Sequence, residues 1–295
     1  MKLKLNPTTP FDLESTLQCG QLFRWAKQGD SWHGVVKDKV LRVQKEDNVL
    51  RFEGADNVFI RDYFRLDDDL PTIVAEISRD SFVTAAIKTL HGLRLVRQDP
   101  WECLVSYICA TYKNIPAIKK MMFELSKRFG QEIADESCLI YAFPKPYNLA
   151  KASIAELRNC GLGYRAKRVR EAAQIVVDGE VDFEQLRKAD YKEAKERLMQ
   201  VPGVGHKVAD CVVLFSLDKL EAFPVDIWVK RIIERHYSRH FDRSFIHKIS
   251  TADSLSKKAY DRIGLFARSY FGRYAGYAQE YLFHFARGHA IRDRV

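Results

Sequence analysis

Cysteine is scarce in this sequence. Six occur in 295 residues, Cys19, Cys103, Cys109, Cys138, Cys160 and Cys211, and no two are spaced C-x-x-C. So few, so spaced, indicate neither a disulfide framework nor a zinc or iron–sulfur cluster, and most are expected as buried reduced thiols. No apolar run reaches 18 residues, so no membrane-spanning helix is expected. The stretch from Met1 to Pro7 lacks the apolar core of a secretory signal, which makes an intracellular protein the expectation. No internal repeat or low-complexity segment is present. Acidic residues are also in deficit, with 39 Asp and Glu against 48 Lys and Arg, a net charge of +9. A basic balance of that size suits a polyanionic partner, nucleic acid first and an acidic membrane surface second.

What is there suffices for a sizeable core: 46% of the residues are hydrophobic, and the length suggests about two domains. Up to about Gly92, short β-branched and aromatic runs alternate with turn-like stretches. The runs are Gln21–Trp25, Ser31–Val36, Lys39–Gln44 and Asn48–Phe52, and the turns are 28–30, 37–38 and 45–47. This spacing predicts an antiparallel sheet with meander connections, followed by a helix over Arg79–Leu90. From Asp99 onward the pattern is helical with short connections. Asp99 followed by Pro100 is a strong helix start, and Trp101 to Ala110 is apolar almost all round, as a central helix would be. Ile115 and Pro116 open the next helix, which Gly130 ends. Further helices are expected at 154–160, 166–177, 183–188, 191–200, 207–217, 227–236, 253–266 and 274–286. The expected fold is mostly α with an α+β N-terminal domain. An antiparallel sheet domain over 1–95 is followed by a helical region over 96–295, whose two lobes have the site in the cleft between them.

The stretch Leu198 to Phe215 organises the rest. Tyr191 to Met199 is rich in helix formers; Pro202, Gly203 and Gly205 then break the helix. Val208, Cys211, Val212 and Phe215 follow at the spacing of one buried helical face. This is a helix–hairpin–helix over about 191–217. Its glycines let hairpin amides point at phosphate oxygens, helped by the N-terminus of the second helix. A plain αα-corner also uses proline and glycine. The backbone carbonyls of Met199, Val201 and Val204 are candidates to hold a sodium, potassium or calcium ion between protein and phosphate.

Lys207 lies in the first turn of the second helix, at the positive end of its dipole, where a carboxylate would be the stabilising choice. Asp226 opens another helix nineteen residues on. An aspartate there is commonly an N-cap worth roughly 1 kcal/mol. The spacing also allows one helix and a return loop to bring the carboxylate beside the amine. A partly desolvated lysine with an anionic neighbour is a competent nucleophile toward a sugar or carbonyl carbon.

These residues resemble the helix–hairpin–helix DNA glycosylase superfamily, and within it the 8-oxoguanine DNA glycosylases with associated lyase activity. The resemblance covers nearly the whole chain through five ordered segments: Gly20–Trp25, Arg97–Cys103, Gly161–Ala166, Pro202–Cys211 and Tyr274–Gln279. It implies that Lys207 attacks C1′ of a flipped nucleotide and expels the base. Asp226 would stabilise positive charge developing on the sugar, and the resulting Schiff base would permit β-elimination. It assigns Gly20 as the carbonyl that accepts N7–H of 8-oxoguanine, Gln279 to the Watson–Crick edge, and Cys211 with Phe283 to the two faces of the base. By themselves Gly20 reads as a turn glycine and Cys211 and Phe283 as core residues. Tyr164 and Arg165 match the wedge and the contact to the orphaned cytosine. Gly203, Gly205, Trp228 and Asn114 complete the implied DNA contacts. No cofactor is required beyond the hairpin ion. The implied partner is double-stranded DNA containing 8-oxoguanine. A monomer is expected, cytoplasmic or at the nucleoid, or nuclear in a eukaryote.

The departures matter. Animal and fungal members carry an Asn-Asn-Asn run and an arginine three residues past it, where this chain has Tyr112-Lys113-Asn114 and Ala117. Trp228 replaces a histidine near the lesion's phosphate. A relaxed preference for the base opposite the lesion is therefore expected. The alternatives are a glycosylase for another damaged purine and a non-catalytic DNA-binding protein.

Overall fold

Three turns of two residues each fold the N-terminal region into a meander. The structure, a computed structural model, describes residues 1–134 and 139–292. It begins with β1 (Lys2–Lys4), α1 (Leu13–Gln18), β2 (Trp25–Gln28), β3 (Ser31–Val36), β4 (Lys39–Glu46) and β5 (Val49–Glu53). Gly29, Lys37 and Asp47 open the three turns with positive φ, the conformation that matches a tight hairpin to the strands' twist. All five strands pair antiparallel in the order β1-β5-β4-β3-β2. Leu41 and Val43 of β4 point to the same buried face as Leu50 and Phe52 of β5, as period-two alternation requires. Gly34 pairs with Trp25, and a side chain at Gly34 would strike the indole.

The helices follow, most of their starts marked by a side-chain cap. α2 (Asn57–Tyr63), α3 (Leu70–Ile77) and α4 (Ser81–Thr89) are capped by Asp56, Asp69 and Asp80. Asp99 caps α5 (Pro100–Ala110) and Asn114 caps α6 (Ile115–Phe129). A short hairpin, β6 (Glu132–Ala134) and β7 (Leu139–Tyr141), leads to α7 (Pro146–Lys151) and α8 (Ile154–Asn159). The latter starts with a complete capping box between Ser153 and Glu156. Then come α9 (Arg165–Val177), α10 (Phe183–Lys188), α11 (Tyr191–Leu198), α12 (His206–Ser216) and α13 (Ile227–His236). The chain continues with α14 (Arg243–Thr251), α15 (Lys257–Phe271) and α16 (Ala275–Arg292). α5, α6, α8 and α9 pack as one group, with α7 on α9. α13, α15 and α16 form another with α3 and α4, and α12 lying on α5 joins the two. No helix among the described residues is long and apolar enough to cross a membrane.

Apolar packing does not divide at residue 95, the boundary expected for the sheet domain. The smaller core lies under the sheet and includes Leu3, Leu17, Trp25, Val43, Phe52, Ile60 and Phe64. Leu70, Ile73, Ile77, Val83 and Ala86, from α3 and α4, belong to the large helical core instead.

Several expectations need correcting. The strand expected over Gln21–Trp25 begins only at Trp25. Gln21 is buried and its amide acts as a bridge: Nε2 donates to the carbonyls of Thr16 and Arg94, and Oε1 accepts from Val96 N–H. The segment before β2 is thus held by a side chain rather than a ladder. α15 runs over Lys257–Phe271 rather than 253–266, its start fixed by Ser256 as the cap. α16 continues past residue 286. β1, the β6–β7 hairpin, α1, α2, α3, α7 and α14 had no expectation at all.

Candidate active site

The hairpin forms as its residues dictate. α11 ends at Leu198, and Val201 N–H and Val204 N–H turn back to Leu198 and Val201 carbonyls. Gly203 has φ +89, and a side chain there would collide with the stem of Arg168, which packs across the turn from α9. Gly205 is the N-cap of α12 and supplies no side-chain cap, so the first-turn amides are not satisfied by any side chain. An uncapped helix start of this kind suits an anion.

Lys207 stands in that first turn, half-buried. Asp226 caps α13: its Oδ1 accepts from Trp228 N–H and Val229 N–H, both at 2.9 Å, which leaves Oδ2 without a partner among the described residues. Both charges lie near enough to act on the thiol of Cys211, one turn along from Lys207. Burial pushes the Cys211 thiol up strongly; the ammonium of Lys207 works against that, while the carboxylates of Asp210, Asp226 and Glu280 add to it. The return loop therefore brings the carboxylate to the lysine's side of the fold.

The support beneath this pair was not expected. Asp210 is 1% exposed and accepts from three side chains: Tyr191 hydroxyl at 2.7 Å, Lys195 Nζ at 2.8 Å and Tyr260 hydroxyl at 2.7 Å. The Tyr260 oxygen in turn accepts from Val225 N–H at 3.2 Å, directly before Asp226. One carboxylate thus ties α11, α12 and α15 to the loop that presents Asp226. The signal was visible: an aspartate inside the apolar face of α12 is the informative anomaly.

The second wall comes from α16. Gly276 lets this helix lie on α12; a side chain there would meet Leu214 at 2.2 Å. Gln279 is 5% exposed, with Oε1 buried and unpartnered among the described residues. Gly20 (φ +109) lies against Phe283, whose Cε1 would be 3.5 Å from an added side-chain carbon. Glu280 was also unexpected. It is 2% exposed, its Oε1 has no partner among the described residues, and the Cys19 thiol, which donates to the Thr16 carbonyl, lies beside it. Burial raises its pKa to about 7; the Cys19 contact and the Arg287 charge oppose that, and Asp226 reinforces it.

On the neighbouring face Tyr164 is 54% exposed, as a wedge would be. Arg165 is not free beside it: it is buried, donates from Nη2 to the Thr111 carbonyl, and its guanidinium lies 4.3 Å from the Tyr164 ring centroid. Asn114 uses its side-chain oxygen to cap α6. Trp228 is half-buried under Arg231. Five cysteines are buried free thiols, and Cys138 lies outside the described residues. No cluster of His, Cys, Asp and Glu among the described residues could hold a metal.

Residues 2–104 match the 8-oxoguanine DNA glycosylase N-terminal domain, and residues 105–251 match the HhH-GPD superfamily of base excision DNA repair proteins. The chain belongs to this glycosylase family. It is 32% identical to the N-glycosylase/DNA lyase of Saccharomyces cerevisiae, covering 92% of this chain and 82% of that one. It is 30% identical to a probable N-glycosylase/DNA lyase of Methanothermobacter thermautotrophicus, covering 98% and 97%. Among solved structures, the Clostridium acetobutylicum 8-oxoguanine glycosylase/lyase, bound to duplex DNA with cytosine opposite 8-oxoguanine, superposes with a TM-score of 0.84. That pair is 32% identical over 95% of this chain and 93% of the other.

Proposed function

We propose that the protein excises 8-oxoguanine from duplex DNA and then cleaves the strand, as a DNA glycosylase with abasic-site lyase activity in base excision repair. The observation that supports this best is the convergence of Lys207 and Asp226 on Cys211 in a chain of this family. The target nucleotide leaves the stack because C1′ is out of reach inside it. Lys207 Nζ then attacks C1′, and the C1′–N9 bond breaks with its electron pair going to the base. Asp226, fixed through Oδ1 by its cap bonds, turns Oδ2 to the positive charge that develops on the sugar. The amine's covalent product opens to a Schiff base, which acidifies C2′–H and lets the 3′ phosphate leave by β-elimination.

The base lies between Cys211 and Phe283, with Gly20 C=O accepting N7–H and the Gln279 amide on the Watson–Crick edge. Guanine presents a bare acceptor at N7 to the Gly20 carbonyl, so it loses a hydrogen bond and gains a repulsion. The amides of the α12 start, with Gly203 and Gly205, hold a phosphate. The carbonyls of Met199 and Val204 accept no hydrogen bond from the described residues and suit a hydrated alkali or alkaline-earth ion there; that of Val201 already accepts from Val204. Such an ion would bridge hairpin and phosphate without entering the reaction. Tyr164 fills the duplex, and Trp228 and Asn114 lie along the backbone. With Ala117 in place of an arginine and Arg165 held by Thr111, discrimination at the opposite base is weak. The protein acts as a monomer where the cell keeps its DNA.

Borohydride trapping on 8-oxoguanine paired with each of the four bases tests all of this. The expected result is a covalent adduct with every opposite base at comparable yield, and none with Lys207→Gln, which still binds lesion DNA. Full trapping by Lys207→Gln would overturn the mechanism, and a strong cytosine preference would overturn the relaxed reading.

A further inference from the structure

Arg287 stands where the pocket assigned above meets Gly20. Its Nη2 donates to the Gln18 carbonyl at 2.7 Å and lies 3.3 Å from His284 Nδ1. Its guanidinium carbon is 5.1 Å from the Phe283 ring centroid. Nη1 is buried and has no hydrogen-bond partner among the described residues. That same atom lies 2.7 Å from where a side-chain carbon on Gly20 would be. His284 helps fix it: burial and then the Arg287 charge, with Asp12 opposing, push the imidazole down to about 4. The ring is neutral at neutral pH, and Nδ1 can accept from Nη2. A buried cationic N–H left unmade is unfavourable until an acceptor completes it.

Oxidation at C8 changes two adjacent atoms of guanine. N7 turns from acceptor to N–H donor, and C8 gains a carbonyl oxygen. The new edge is a lactam, donor beside acceptor. Its complement is an acceptor beside a donor, and Gly20 C=O next to Arg287 Nη1 has that form. We propose that Arg287 is a specificity-determining residue that donates from Nη1 to the C8 carbonyl oxygen of the flipped lesion, while the Gly20 carbonyl accepts N7–H. This rests on the pocket reading above and extends it: the enzyme tests both halves of the lactam, where N7 alone would test one. Glu280, unpartnered at Oε1 on the same helix, lies near enough for the guanidinium charge to act on its carboxyl.

The test pairs a change in the protein with a change in the base. Wild type and Arg287→Met, which keeps an apolar stem over Phe283, are assayed in single turnover on 8-oxoguanine and on 8-thioguanine, in which the acceptor is weakened and N7–H is kept. Each rate is divided by the same enzyme's cleavage of an abasic site, which corrects for folding and lyase competence. Arg287→Lys provides a second variant that retains the charge. The expected result is a sulfur penalty in wild type that shrinks on the order of tenfold in Arg287→Met. Equal penalties in both enzymes would overturn the proposal. Coupling to a 6-thio-8-oxoguanine substrate instead would assign the donor to O6 and also overturn it as stated. Wild type that excises no 8-oxoguanine would sink the pocket reading itself, a result distinct from either.

Discussion

Glu280 sits where a charge is unwelcome, with its carboxyl 2% exposed beside the Cys19 thiol. Burial raises its pKa from 4.5 to about 7, so the folded protein holds a proton that the unfolded chain releases. Stability from this group is fully present below pH 4.5 and declines as pH rises toward 7, by about 3 kcal/mol in all. Glu280→Gln removes the charge and keeps the shape. The expected outcome is a variant more stable than wild type at pH 8 by up to that amount, with the gap closing near pH 5, measured by urea denaturation at both. A constant gap would mean that the carboxyl does not titrate there. At this scale the site was only partly legible. Lys207 and Asp226 announce themselves by residue type, one misplaced against a helix dipole and one at a helix start. Gly20, Cys211 and Phe283 carry no chemical signature, and only a resemblance picks them out. Glu280 and Asp210 did carry a signal, a charge within an apolar run, but sequence does not say which side of a helix is covered by a neighbour.

Asp210 ties the second hairpin helix to its neighbours. This carboxylate joins α11, α12 and α15, and Lys195, 12% exposed, has its ion-pair partner there. Removing one member of a buried pair leaves the other uncompensated. Asp210→Ala is expected to lose about 3 kcal/mol of stability by urea denaturation, with Asp210→Asn losing less because it keeps an acceptor for Tyr191 and Tyr260. Equal losses would show that shape, not charge, is what α12 requires. Elements were legible where a cap or a long periodic face marked them: α5, α6, α9, α12 and α13 lie within two residues of expectation. The helices α1, α2, α7 and α14, six to nine residues each, were not, since so few turns give little periodicity to separate from loop, although the six-residue α8 and α10 were read correctly. β1 was invisible for a different reason: three residues at a sheet edge form a strand only because β5 is there to pair with.

Across the whole molecule, Asp218 is the junction. It accepts from Arg65, from Arg97 at 3.0 Å and from Arg187 at 3.0 Å, so one side chain after α12 reaches the sheet region, the linker before α5 and α10. Burial alone would raise this carboxyl, but the charges of Arg65 and Arg97 outweigh it and hold it below its usual value. Asp218→Ala leaves the buried Arg65 guanidinium with Asp68, at 3.7 Å, as its one ion-pair partner among the described residues. A loss of roughly 3 kcal/mol is expected, and the two cores should then melt as separate transitions in calorimetry. A single unshifted transition would show that apolar contact alone couples them. The fold class was readable because turn spacing and helical periodicity differ so plainly between the two parts; the placement of α3 and α4 was not, because an amphipathic helix does not name the core it joins. The docking of Arg287 comes late in the making of the enzyme. Its partner Gln18 is 269 residues away in the chain. A ribosome making this protein completes the hairpin, Lys207 and Asp226 well before α16 exists. On the site proposed above, such an unfinished chain would have a grip and a nucleophile but no means of choosing a base. Selectivity would then be the last property to be acquired, arriving only when the two distant segments dock.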